Sequence, residues 1–147
     1  MVGQGGDEPL LAVAVVDGPY CGVDQDRIVQ GIADAADGLP PLGAVGAALE
    51  SAAEVIPGRE LARRRQAIVK ANPELLEREL IKLATLASAI ADALRGRGVP
   101  DHAASLAAEA GVAVFKVAFQ RWVSGEADQP LALVIRQSIA ELKTVTA

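Results

Sequence analysis

The chain has 147 residues, 51% of them apolar and only 3% aromatic, with a formal net charge of −5. This is one domain's worth of sequence, long enough to bury roughly 70% of its unfolded surface, and its Ala- and Leu-rich composition favours helices over strands. The single cysteine, Cys21, excludes an internal disulfide, and the longest uninterrupted apolar run, Leu10 to Val16, is far short of the roughly 20 residues of a spanning helix.

No basic residue precedes Arg27, so a secretory signal is not expected, and a cytoplasmic location follows by default. Asp7, Glu8, Asp17, Asp24 and Asp26 carry the whole net charge, while acids and bases cancel from Arg27 onward. Neither part has the Lys/Arg cluster needed to displace counterions from phosphates. Catalytic constellations are equally lacking. The only histidine, His102, falls at a helix start, remote in sequence from Cys21, so neither a nucleophilic triad nor a four-ligand metal site is expected. The run Gly3-Gln4-Gly5-Gly6 lacks the Lys-Ser/Thr of a phosphate loop. The chain reads as a binding protein without cofactor, not an enzyme.

Residues 1–23 read as an irregular, acidic, Gly-rich lead, ended by the turn signal Asp17-Gly18-Pro19. A domain over 24–147 follows. Asp24 is placed to cap a helix whose face holds Ile28, Ile32 and Ala36, and Gly38 and Pro40 end it. From Pro41 to Ile56, Leu42, Val45, Leu49, Ala52 and Ile56 form a stripe at steps of three and four, closed by Pro57-Gly58. A helix from Arg59 to Ala71 lines up Leu61, Arg65 and Ile68. Because adjacent helical positions point about 100° apart, Arg63, Arg64 and Arg65 cannot all face one site; Arg65 is the best placed of the three to point inward, and a solvated face is the alternative.

Asn72-Pro73 marks a boundary, with Asn72 as N-cap of the next helix and Pro73 in its first turn. That helix runs to Arg95 with the stripe Leu76, Leu80, Leu83, Ala87, Ile90 and Leu94, an acidic first turn and a basic last one. Gly96 and Gly98 stop it, and Pro100-Asp101 restarts the chain. The helix from Asp101 to about Ser124 is apolar over nearly its whole circumference and therefore needs cover all round. A last helix from Pro130 to about Val145 carries Leu131, Val134, Ile135, Ile139, Leu142 and Val145. Six helices cover the 101–124 helix poorly. Two copies, each giving this helix and the last, would form an intermolecular four-helix bundle; the alternative is a monomer with this helix at its centre.

The runs Arg63-Arg64-Arg65-Gln66-Ala67-Ile68-Val69-Lys70-Ala71-Asn72-Pro73-Glu74-Leu75, Ala93-Leu94-Arg95-Gly96-Arg97-Gly98-Val99-Pro100-Asp101 and Phe119-Gln120-Arg121-Trp122-Val123 resemble the C-terminal effector domain of TetR-family transcriptional regulators. Within that family the likeness is to the group with acyl-CoA-like ligand-binding domains that includes the mycofactocin regulator. It extends from about Asp24 to Val145.

The resemblance implies an all-α antiparallel bundle of about six helices that senses a small hydrophobic or acyl-type effector and pairs as a homodimer through its last two helices. The 23 residues ahead of the match are too few and too acidic for the usual helix-turn-helix head, so no direct DNA binding is expected of this chain alone. An alternative is an interaction protein that heterodimerises with full-length regulators and titrates them. Family layout puts Leu49, Ala53, Ile68, Leu83, Leu86, Phe115 and Phe119 in the ligand cavity, though ordinary core is the better reading for any one of them, and Arg65 joins them by its helical phase. Thr85 and Ser88 are candidate polar contacts. Expected interface positions are Val114, Ala118, Trp122, Leu131, Ile135, Ile139 and Leu142.

Overall fold

The computed structural model describes residues 24–56, 58–125 and 128–147. The expectations for the 1–23 lead, including Leu10 to Val16 and Cys21, and for Pro57 lie outside the described residues. Among those described there are six α-helices and no strand: α1 (Gln25–Asp34), α2 (Pro41–Ala53), α3 (Arg59–Ala71), α4 (Pro73–Gly96), α5 (Asp101–Ser124) and α6 (Leu131–Val145).

The helix boundaries follow from local chemistry. Asp24 accepts the Arg27 backbone N–H at 3.2 Å and so satisfies one donor left open at the start of α1. Gly38 and Gly98, at φ +88° and +91°, make the turns after α1 and α4, a backbone conformation that side chains with a Cβ resist. The start and end of α4 carry Glu74 and Arg95, the polarity its dipole prefers.

Two boundaries differ from the sequence reading. Helix α2 stops at Ala53, and residues 54–56 continue as a tighter turn in which Val55 and Ile56 donate to Ala52 and Ala53. At Asn72 the side chain does not cap α4. Its Nδ2 donates backward to the Ile68 carbonyl at 2.7 Å, satisfying an open acceptor at the end of α3.

Helix α5 is the hub, packed against α2, α3, α4 and α6, while α1 lies on α2 and α4, and α6 also meets α2. Small residues make the central contacts. Gly46, Ala48 and Ala52 on α2, and Ala104, Ala108, Gly111 and Ala118 on α5, are all buried, so the backbones approach closely. A Cβ built on Gly111 would stand 2.5 Å from Val45 Cγ1, and one on Gly46 would stand 2.3 Å from Ile139 Cδ1. Around these contacts Ile28, Ile32, Val45, Leu49, Ile90, Leu94, Val134 and Ile135 are wholly or almost wholly buried. Each such side chain supplies about 1.5–3 kcal/mol of burial free energy. A second, smaller cluster of Val69 and Leu75, with Ile68 against it, pins the α3–α4 corner.

Arg97 ties the first helix to the rest. Its Nη1 donates to the carbonyls of Ile32 and Ala35 at 2.9 Å each, and its Nη2 to that of Ala36 at 3.0 Å. One guanidinium thus serves three carbonyls where α1 ends, a position where positive charge also suits the helix dipole.

Counting uninterrupted apolar runs understates α5. Judged on windowed hydropathy, its 24 residues are long and apolar enough to cross a membrane. In the fold one side of it fills the protein core and Glu109, Lys116 and Gln120 stand exposed on the other, which is the pattern of a central bundle helix.

Candidate ligand cavity

Helices α3, α4 and α5 enclose a cavity of about 350 Å³. Its position follows from the α3–α4 hairpin. Ala62, Arg65 and Val69 are spaced by three and four on α3, so one face turns all three inward, and all are buried. The opposite wall is Leu83 of α4 with Phe115 and Phe119 of α5, and Ile56 and Leu61 complete the apolar lining. The two phenylalanine rings lie 5.8 Å apart, and Phe119 lies 5.8 Å from Trp122, which makes a continuous aromatic row along α5. A second hollow of about 300 Å³ shares Glu79, Leu83 and Phe115 with the first and adds Gln25, Ile81, Lys82, Thr85 and Leu86.

One ion pair stands in this apolar wall. Arg65 is 5% exposed, and its Nη2 donates to Glu79 Oε2 at 2.8 Å. The two residues are each seven positions from Asn72, one on either arm of the hairpin, so two turns of each helix bring them face to face. The Arg65 Nε is also buried and finds no acceptor among the described residues. Lys70, Lys116 and Gln120 are exposed members of the lining, as are the apolar Leu76, Leu80 and Val117, which are 42%, 52% and 58% accessible.

The cavity therefore gathers four of the eight sequence-named ligand residues: Arg65, Leu83, Phe115 and Phe119. Leu86 lines the adjoining hollow. Leu49 and Ala53 face the core from α2, which reaches the cavity only through Ile56 beyond its end, and Ile68 packs on the Val69–Leu75 cluster. Thr85 lies at the second hollow, while Ser88 lies at a separate shallow groove with Arg95 and Ser105. Arg63 and Arg64 are exposed, Arg63 donating its Nε to the Val123 carbonyl at 3.1 Å, so the divergence of the three arginines holds. Sequence reading overlooked Leu61, Ala62, Val69, Leu76, Leu80 and Glu79. The symmetric placing of Arg65 and Glu79 about Asn72-Pro73 was the available signal for the last.

The positions expected at an interface between copies mostly serve the chain's own core. Val114, Ala118, Trp122, Leu131, Ile135 and Ile139 are buried within one chain, and Leu142 is half-buried. Burial by the chain's own helices leaves six of these seven almost no surface for a partner. What α5 does expose is Ala103, Leu106, Ala113 and Val117, with Ala110 half-covered between them. These five residues fall at alternate steps of three and four, a single apolar stripe. Leu106 alone is 60% accessible. His102 is exposed beside the start of this stripe, and among the described residues no cluster of His, Cys, Asp and Glu is placed to hold a metal.

An all-helical bundle with an apolar cavity between its middle helices and a long, incompletely covered helix at its centre has the architecture of a TetR-type regulatory domain. Residues 39–147 match the family described as the MftR C-terminal domain, and the chain belongs to it. It is thus a ligand-binding and dimerisation domain of the kind that TetR-family regulators carry. Among curated proteins no match was found.

Proposed function

We propose that the chain senses a small hydrophobic or acyl-type effector in the cavity between α3, α4 and α5, and that two copies pair through α5 and α6. The observation that carries the ligand reading is the apolar lining of Ile56, Leu61, Leu83, Phe115 and Phe119 around one ion pair whose arginine is buried. Binding sites for small molecules have this make-up, with a mostly greasy wall and a few fixed polar groups for orientation. The exposed lysines 70 and 116 suit the charged end of an acyl carrier left outside.

The pairing reading is supported by the stripe from Ala103 to Val117. Apolar residues at helical spacing on an otherwise buried helix are the surface a second copy would cover. The proposed interface uses this stripe together with α6, because six of the seven positions named from sequence are already buried by the chain's own helices.

Denaturation midpoints with a panel of fatty acyl-CoAs test the first part. A ligand at a hundred times its Kd adds about 2.7 kcal/mol, a shift of several degrees in Tm, and a panel with no shift sinks the sensor reading. Sedimentation tests the second. Wild type is expected as a dimer at tens of micromolar and Leu106→Asp as a folded monomer; a wild-type monomer overturns the pairing.

A further inference from the structure

The second hollow opens where the N-terminal lead joins the bundle. Gln25, the first residue of α1, stands in its lining, and α4 adds Ile81, which is 59% accessible, with Lys82 and Thr85. Leu83, Leu86 and Phe115, half-buried or buried, complete an apolar wall that water covers at a cost. Arg78 lies one turn from Lys82 on the same face of α4, and both cations are exposed.

The lead carries the matching set. Leu10–Val16 is the longest unbroken apolar run in the sequence, the acids Asp7, Glu8 and Asp17 lie to either side of it, and no Lys or Arg occurs before Arg27. Eight residues separate Val16 from Gln25 and reach about 30 Å when extended. The α4 stretch from Arg78 to Leu86 is only about 12 Å long, and Asp17-Gly18-Pro19 supplies a turn signal in the tether.

We propose that Leu10–Val16 docks within its own chain on the second hollow, with apolar side chains over Ile81 and Leu86 and its flanking acids against Arg78 and Lys82. Attachment through Gln25 favours this occupant over a second copy or a separate protein. It makes the encounter intramolecular, with an effective concentration of the order of millimolar. Opposite charges on the two surfaces set the register, while burial of apolar area supplies the affinity, since exposed ion pairs contribute little each. The hollow shares Glu79, Leu83 and Phe115 with the larger cavity, so the docked segment would also close that side of it. The docking itself stands independently of the ligand reading.

The experiment is thiol protection in the full chain. Cys21→Ser removes the sole cysteine, and Ile81→Cys then places one thiol at the hollow. Its alkylation by iodoacetamide is compared between the native lead and Leu11→Ser/Val13→Ser, which makes the run polar without changing its charge. The native lead is expected to slow alkylation about tenfold. Ala47→Cys, exposed on α2, serves as the control and is expected to react equally with either lead. Protection should be the same at low and at high micromolar protein. With Arg78→Glu/Lys82→Glu added, the ratio between the two leads should fall toward one.

Equal alkylation of Ile81→Cys with both leads overturns the proposal. Protection that grows with protein concentration overturns it in favour of a second copy on the hollow. Protection of Ala47→Cys to the same degree refutes the site, and an undiminished ratio after the charge reversal refutes the charge match and the docking argued from it.

Discussion

Two glycines hold the centre of the bundle together, and their replacement by alanine separates two kinds of close contact. At Gly46 the new Cβ would meet only the tip of Ile139, its Cδ1 at 2.3 Å, with the next atom of that side chain at 3.7 Å. The tip can swing, because Ile139 is 9% exposed at the edge of the core. At Gly111 the nearer clash looks milder, with Val45 Cγ1 at 2.5 Å, but valine is short, branched and stiff at χ1, and Val45 is fully buried.

Alanine gains about 0.8–1 kcal/mol over glycine within a helix, and overpacking a rigid core costs about 1–3 kcal/mol. Gly46→Ala is therefore expected within about 1 kcal/mol of wild type, and Gly111→Ala to destabilise by about 1–2 kcal/mol. Urea denaturation at one fixed protein concentration measures both, read as a change of midpoint at constant slope. The mechanism makes a further demand. In Val45→Ala the obstructing methyl is gone, so the Gly111→Ala penalty should vanish or reverse, a coupling of about 1–2 kcal/mol in the double-mutant cycle. Additive effects of the two substitutions, or a Gly46→Ala loss larger than that of Gly111→Ala, would refute the reasoning.

Three other perturbations have defined outcomes. Glu79→Gln strands the buried guanidinium of Arg65 and is expected to destabilise by about 2–3 kcal/mol, below the full value for a buried pair because Glu79 keeps a quarter of its side chain in water; Arg65→Met, which leaves only that half-wet carboxylate, should lose less, and thermal unfolding of the two variants ranks them. Arg97→Ala releases three carbonyls at the end of α1, and hydrogen exchange should quicken across α1 with little change in α5 and α6; uniform quickening would count against a local tether. Asn72→Asp separates the two capping roles: an aspartate is a good N-cap but cannot donate to the Ile68 carbonyl, so a loss of about 1 kcal/mol in midpoint analysis is expected, and an unchanged or raised midpoint would restore the N-cap reading.

The helices were legible because their punctuation is chemically simple. Pro41 and Pro73 fix φ in a first turn, Gly98 admits the positive φ of a helix stop and Asp24 caps a free N–H, and the observed boundaries fall beside them. Arg65 was legible by phase, since its position on α3 sets it apart from Arg63 and Arg64. Side-chain roles were harder. An amide both donates and accepts, so nothing in the identity of Asn72 told whether it serves the helix before it or the one after. Leu76 and Leu80 continue the stripe of Leu83 and Ile90 in sequence, but they lie toward the end of α4 that is paired with the short α3, and so reach the cavity instead of the main core. The interface positions are hard to place for a related reason. A helix apolar on all sides carries no phase, and one step of 100° moves Ala113 and Val117 on the surface to Val114 and Ala118 in the interior. Only the placement of α2 and α6 decides which side the chain covers for itself.

Val117 belongs to two surfaces at once: it closes the exposed stripe of α5, and it stands in the lining of the cavity. A residue shared in this way cannot report to one surface alone. If a second chain covers it, the cavity loses an open edge, and if a ligand presses on it, the stripe changes shape. Under thermodynamic linkage the two equilibria must then bias each other by equal factors. Occupancy would be readable as a change in the dimer dissociation constant, and protein concentration would itself tune ligand affinity, without any pathway of intervening residues to carry the signal.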